Sequence, residues 1–260
     1  MKRKDFTLQN KDGLNLAVIE EFSEGKGPFP TVVLVHGYAS GKNAHSNQAL
    51  VDRLHAQGIA TVRFDFRGHY DSEGKIEDVN ISTGLEDLEA ITKHVLADPR
   101  VDRERLGIYG SSYGGVVTEV FASRNPIFTC IVLKAPATDW NEGRRLRLGD
   151  DVMREWRNRG VYTFTHQGKE IPTPYSLVED IASYDVYEET ASIKVPVLIV
   201  HGDKDESVPL DQSKKLAEAI GANARLIVYP GASHRFTTGD NFEKVADDMA
   251  SFFTEELQDG

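Results

Sequence analysis

Hydrophobic positions along this chain change rhythm twice. Over DFTLQNKDGLNLAVIEE (5–21), apolar and polar residues alternate around Asn10-Lys11-Asp12-Gly13. That pattern predicts an antiparallel hairpin at the edge of a sheet. Past the Gly/Pro-rich stretch 25–30, short unbroken apolar runs take over: TVVLVHG, GIATVRFDF, RLGIYG, FTCIVLKAP, VPVLIVHG and ARLIVYPG. Continuous β-branched runs suit strands covered on both faces. Between them lie NQALVDRLHAQ, LEDLEAITKHVLA and QSKKLAEAI, whose apolar residues fall at i, i+3 and i+4, as on an amphipathic helix. Strand and helix in alternation predict an α/β protein with a parallel sheet and right-handed crossovers.

The second break falls between KAPAT (134–138) and VPVLIV (195–200), where a single helix would suffice. The intervening chain holds the Arg-rich NEGRRLRLGDDVMREWRNRG and then VYTFTHQGKEIPTPY. The latter predicts a small hairpin around His166-Gln167-Gly168. Connections of this length usually have structure of their own or a function. Residues 139–190 are therefore expected to form a lid inserted in a single domain, 1–260. Trp156, Tyr162, Phe164 and Tyr175 are available in it as apolar walls for a substrate.

Composition narrows the function. With 40% hydrophobic residues among 260, the chain can bury one large core. Its 41 acidic and 30 basic residues give a net charge of -11, which repels phosphate backbones and anionic lipid. Neither a nucleic acid nor a membrane is expected as a partner. No apolar segment follows Lys2-Arg3-Lys4 as a secretory signal would require, and no run is long enough to span a bilayer. The lone Cys130, inside IFTCIVL, is expected to be a buried, inert thiol. A soluble cytoplasmic protein is the expectation, with a homodimer left open.

Candidate chemistry centres on RLGIYGSSYGGVV (105–117), where a predicted strand stops at Gly110-Ser111-Ser112-Tyr113-Gly114 and a helix follows. G-x-S-x-G in that context resembles the nucleophile elbow of the α/β-hydrolase fold. Its glycines leave room where a Cβ would strike neighbouring backbone. The central position makes Ser112, and not Ser111, the candidate nucleophile. A serine needs a base oriented by an acid, and in this fold the order along the chain is Ser, Asp/Glu, His. His234, in ASHRF after the strand RLIVYPG, is the candidate base. His36, His69 and His201 also follow strands, but a structural hydrogen-bonding role is expected for each. A phosphate-binding loop at Gly37–Lys42 fails on spacing, a dinucleotide-binding G-x-G-x-x-G does not occur, and no H-E-x-x-H or Cys/His cluster offers a metal site. No cofactor and no metal are expected.

The acid is less clear from the residues themselves, because Asp203, Asp205 and Glu206 crowd one loop. HGDKDESVP (201–209) resembles the HGxxDxxVP segment of the α/β-hydrolase superfamily, whose fifth position is the triad acid. The resemblance implies Asp205, with Asp203 a turn former that caps its own loop. VVLVHGYASGKNA (32–44) similarly resembles the family's oxyanion segment, which implies the backbone N–H groups of Tyr38 and Tyr113 as oxyanion donors. RFDFRGHYDSEGK (63–75) resembles its D-x-R-G-H-G-x-S loop through Asp65, Arg67, Gly68, His69 and Ser72. Tyr70 stands there where the family usually has glycine, a departure that bears on the local backbone.

The resemblance covers about residues 30–255. The N-terminal hairpin and the insert are most similar in layout to the feruloyl (cinnamoyl) esterase group. It implies a serine carboxylesterase acting on small-molecule aryl or short-chain acyl esters through an acyl-enzyme. A peptidase or acyltransferase would use the same triad, and a non-catalytic ligand receptor can retain it. Acylaminoacyl and prolyl peptidases usually carry a large extra domain that 260 residues do not accommodate.

Overall fold

A computed structural model describes residues 1–166, 168–237 and 239–258. The predicted hairpin is β1 (Lys2–Gln9) and β2 (Asn15–Phe22), antiparallel with Phe6 opposite Val18. Its turn is closed by Asn10, whose Oδ1 accepts the N–H groups of Asp12 and Leu14, both at 3.0 Å. This is the local side-chain hydrogen bonding that makes Asn a turn residue.

The apolar runs become β3 (Phe29–Val35), β4 (Ala60–Phe64), β5 (Val101–Ser111), β6 (Cys130–Lys134), β9 (Val197–Gly202) and β10 (Ala224–Tyr229). They join the hairpin in one sheet of order β1-β2-β4-β3-β5-β6-β9-β10, antiparallel up to the β2–β4 pair and parallel beyond it. Alternate residues of a strand serve opposite layers. Val33 and Val35 pack toward α2 (Ile81–Ala97), α3 (Tyr113–Arg124) and α8 (Leu210–Ile220). Val32 and Leu34 pack toward α1 (His45–Ala56) and α9 (Asn241–Gln258). Both faces are thus covered, which is why these strands are apolar throughout. Cys130 is buried within the second layer, and burial pushes its thiol up to about 12.

Residues 139–190 leave the sheet after β6 and return at β9. They hold more helix than the sequence reading expected: α4 (Trp140–Leu148), α5 (Asp150–Arg159), α6 (Ser176–Ile181) and α7 (Val186–Thr190). Asp139 caps α4 by accepting the Glu142 N–H at 2.8 Å, and Gly160 ends α5 in the left-handed region. Between α5 and α6 runs the expected hairpin, β7 (Val161–His166) paired with β8 (Lys169–Pro174). Gln167, placed in its turn by sequence, lies outside the described residues. Asp180 accepts from the Ser82 hydroxyl at 2.5 Å and its N–H at 3.0 Å, tying α6 to the start of α2. Arg124 pairs bidentately with Glu189 and ties α7 to the end of α3.

Candidate active site

The turn between β5 and α3 is built as its glycines require. A Cβ on Gly110 would lie 2.6 Å from the Gly114 carbonyl oxygen, and one on Gly114 would lie 2.3 Å from the His36 oxygen. Ser112 between them has φ 54° and ψ −116°, a conformation a non-glycine residue adopts only where its surroundings enforce it. They do: its N–H donates to Lys134 O at 3.0 Å, and its C=O accepts from Gly115, Val116 and Ala137 N–H groups. Ser112 therefore projects at the N-terminus of α3.

Two large cavities meet at this serine, beside a small one of about 30 Å³ that Trp140 and Arg144 also line. One, about 410 Å³, lies toward the insert and is lined by Tyr38, Ser112, Trp140, Arg144, Phe164 and His234. The other, about 340 Å³, is lined in part by Ser111, Ser112, Lys134, His234 and Phe242. Ser112 and His234 border both, whereas Ser111 borders the second alone.

His234 follows β10, and its Nδ1–H donates to Asp205 Oδ2 at 2.7 Å. A carboxylate only accepts, so the bond fixes the tautomer and leaves Nε2 with its lone pair. No direct hydrogen bond joins Ser112 Oγ to His234 among the described residues, and such contacts are often looser in unliganded hydrolases. Asp205 is held from several sides. Its Oδ1 accepts the Ser207 and Val208 amides, both at 2.8 Å, and its Oδ2 also meets His201 Nε2 at 3.1 Å. Burial alone would raise this carboxyl, whose side chain is 1% exposed, but the hydrogen bonds from His201 and His234 outweigh burial and hold it well below the usual range. His201 Nδ1 accepts from Ser213 Oγ at 2.7 Å, because its Nε2 proton is directed at acceptors, Asp205 and Val208 O. Asp203 does not cap its own loop as expected. Its Oδ1 accepts the Gly231 N–H at 2.6 Å and so links the β9 and β10 loops. Glu206 accepts the His234 N–H at 3.2 Å.

The N–H groups of Tyr38 and Tyr113 have no hydrogen-bond partner among the described residues. At Tyr113 this follows from its place as the first residue of α3. At Tyr38 it follows from the neighbouring loops. His69 Nε2 accepts the Ala39 N–H at 3.1 Å, while its Nδ1–H donates to Arg67 O at 3.0 Å. His36 Nε2 accepts the Phe66 N–H at 3.0 Å. Burial lowers both imidazole pKa values, and each ring must be neutral to accept. The loop they lean on is fixed by Arg67, bonded to Asp87 and Asp12, and by Asp65, bonded to Lys42. Tyr70, where the resemblance expects glycine, keeps the glycine-like backbone with φ 40°. Its side chain is 68% exposed, and the ring edge lies where a Cβ on Gly41 would come within 2.7 Å.

The proposed substrate walls fare unequally. Trp156 is wholly buried inside the insert, donates Nε1–H to Thr173 O at 3.0 Å and packs against Tyr162, Phe164 and Tyr175. It forms the insert's own small core. Neither it, Tyr162 nor Tyr175 borders the two cavities at Ser112, while Phe164 does. Sequence reasoning missed Trp140 and Arg144, one turn apart on α4 and both at the cavity. It also missed Lys134, 4% exposed, whose ammonium burial pushes down to about 8. The W-x-x-x-R spacing on a helix was the signal available for the first two.

A mostly parallel sheet with a strained serine between strand and helix, and with an Asp–His pair on the loops after β9 and β10, defines an α/β-hydrolase. Residues 46–260 match the prolyl oligopeptidase family, and the chain belongs to it. The family is therefore not excluded by size, as the domain argument from sequence had suggested for its larger members. The chain is 25% identical over 222 residues to the uncharacterized peptidase YuxL of Bacillus subtilis, covering 82% of itself but only 32% of that protein. It is 26% identical over 281 residues to a monoacylglycerol lipase of Mycolicibacterium smegmatis, covering 98% of each. Among solved structures, Est1E from Butyrivibrio proteoclasticus with bound ferulic acid superposes with a TM-score of 0.83 at 23% identity, over 96% of this chain and 98% of that one. Among the described residues, no helix is long and apolar enough to cross a membrane and no cluster of ligating side chains could hold a metal ion.

Proposed function

We propose that this protein is a serine carboxylesterase acting through an acyl-enzyme on Ser112. The observation that carries this reading is that Ser112, held at positive φ, borders the same two cavities as His234, whose Nδ1 is bonded to Asp205 at 2.7 Å. Ser112 Oγ attacks the ester carbonyl and its proton passes to His234 Nε2. Asp205 holds the ring and stabilises the imidazolium. The carbonyl oxygen, now anionic, accepts from the Tyr38 and Tyr113 amides, a contribution of roughly 3–4 kcal/mol per donor in comparable sites. The alkoxide leaves with the proton from Nε2, and a water deprotonated by the same nitrogen releases the acid. The similarity to a monoacylglycerol lipase along the whole chain supports an ester as substrate.

A second reading, peptide hydrolysis, is favoured by the family match. Purified protein should separate the two. With 4-nitrophenyl butyrate the reading predicts a burst of nitrophenol followed by steady turnover, both absent in Ser112→Ala. Faster cleavage of peptide nitroanilides than of esters would favour the peptidase instead.

A further inference from the structure

The cavity that joins Ser112 to the insert contains a cation without a counter-ion. Arg144 projects from α4 into it, and the guanidinium carbon lies 4.2 Å from the Trp140 ring centre and 4.5 Å from that of Phe164. Aromatic faces attract a guanidinium but leave its edge N–H donors available. Among the described residues no carboxylate forms an ion pair with Arg144 and no atom accepts a hydrogen bond from it. Among the other insert arginines, Arg154 pairs with Asp151 and Arg159 with Glu155. Arg147, which borders the same cavity, has no ion pair among the described residues but, unlike Arg144, is not held between two rings. In a chain of net charge -11 an unpaired cation is not the result of scarce acids. Burial, with Arg147 one turn away on the same cavity, pushes the Arg144 guanidinium down to about 10. Among the described residues the one carboxylate bordering this cavity, Glu206, is bonded to the His234 amide.

We propose that Arg144 forms a subsite for a carboxylate on the substrate, so that the ester placed at Ser112 carries a second, anionic end. A guanidinium edge matches a carboxylate in geometry and donates two parallel N–H bonds to its oxygens. Partial burial between two rings strengthens that pairing relative to water. Trp140 and Phe164 set the orientation of the fork, and the apolar part of the substrate lies along Phe164 and Tyr38. The enzyme's preferred substrates are then half-esters of dicarboxylic acids or esters with an acidic alcohol portion. This rests on the esterase reading for Ser112, and the test separates the two.

The experiment compares two esters of equal acyl length, 4-nitrophenyl hexanoate and the mono-4-nitrophenyl ester of adipic acid. Wild-type protein should have the higher kcat/KM for the adipate half-ester. In Arg144→Gln the ratio of acidic to neutral ester should fall at least tenfold, and Arg144→Lys should recover part of it. Arg154→Gln, outside the cavity, should leave the ratio within twofold of wild type. An unchanged ratio in Arg144→Gln, or wild-type preference for the hexanoate, overturns the subsite while leaving the esterase reading intact. If neither ester is hydrolysed, the esterase reading fails and calorimetry with adipate decides the subsite alone. Adipate binding that weakens at least tenfold in Arg144→Gln supports it, and no binding to wild type overturns it.

Discussion

Glu119 gives the sharpest test of how the nucleophile helix is held. It lies on α3 with no exposed surface, accepts from Thr138 Oγ1 at 3.1 Å, and its Oε2 has no partner among the described residues. Burial pushes its carboxyl up to about 8, against 4.5 without burial. The folded state therefore holds this proton more tightly than the unfolded chain. Unfolding releases it between those two values, so the native state binds more protons there and stability falls as pH rises. The contribution is whole below about pH 4.5 and is lost once pH passes about 8. The slope inside that window is about 1.4 kcal/mol per pH unit, which makes the loss roughly 3 kcal/mol by pH 7. Glu119→Gln keeps the shape and removes the titration. Thermal unfolding of both proteins at pH 5 and pH 8 should show the variant gaining on wild type by ~10 °C, at 2–4 °C per kcal/mol. A difference in Tm that stays constant across that range would refute the reasoning.

Other expectations follow from the site. Asp205→Asn should lower kcat by about four orders of magnitude through loss of the histidine tautomer. Asp203→Asn, which keeps an acceptor for Gly231 and removes only the charge behind that bond, should act mainly on stability, and the reverse ranking would move the acid to Asp203. Phe164→Ala should lower kcat/KM for bulky aryl esters about tenfold, equivalent to ~1.4 kcal/mol, and acetate esters much less. Trp156→Ala should instead cost about 3–5 kcal/mol through the insert's own packing, reducing activity toward both esters alike. Equal losses for both esters in Phe164→Ala would remove it from the substrate wall.

How far the chain could be read depended on what each signal encodes. Strands covered on both faces announce themselves by unbroken apolar runs, so β3 through β6, β9 and β10 were legible, and with them the edge of the sheet where the site lies. The elbow was legible because its glycines answer to local sterics. The short helices of the insert were not, since α4 and α5 are mostly polar and bury little beyond Trp140, Gly143 and Trp156. Nor was α9 singled out, although Val245, Met249, Phe252, Phe253 and Leu257 line one face of it. Choosing among aromatic residues of the insert needed three dimensions. Trp156 and Phe164 are alike in sequence terms, yet one is the centre of the insert and the other its inner wall. Arg144 was hidden in RRLRL for the same reason, because nothing in the run says which arginine turns inward. The neutral states of His36 and His69 likewise depend on partners some 30 residues away.

The central claim is that Ser112 is the nucleophile, activated by His234. A fluorophosphonate ester, which needs such a serine to react, tests it most directly. Wild-type protein is treated with the probe, digested, and the adduct located by mass spectrometry, with Ser111→Ala, Ser112→Ala and His234→Ala alongside. The account predicts a single adduct on Ser112, retained in Ser111→Ala, lost in Ser112→Ala and greatly slowed in His234→Ala. An adduct on Ser111, or undiminished labelling without His234, would contradict it.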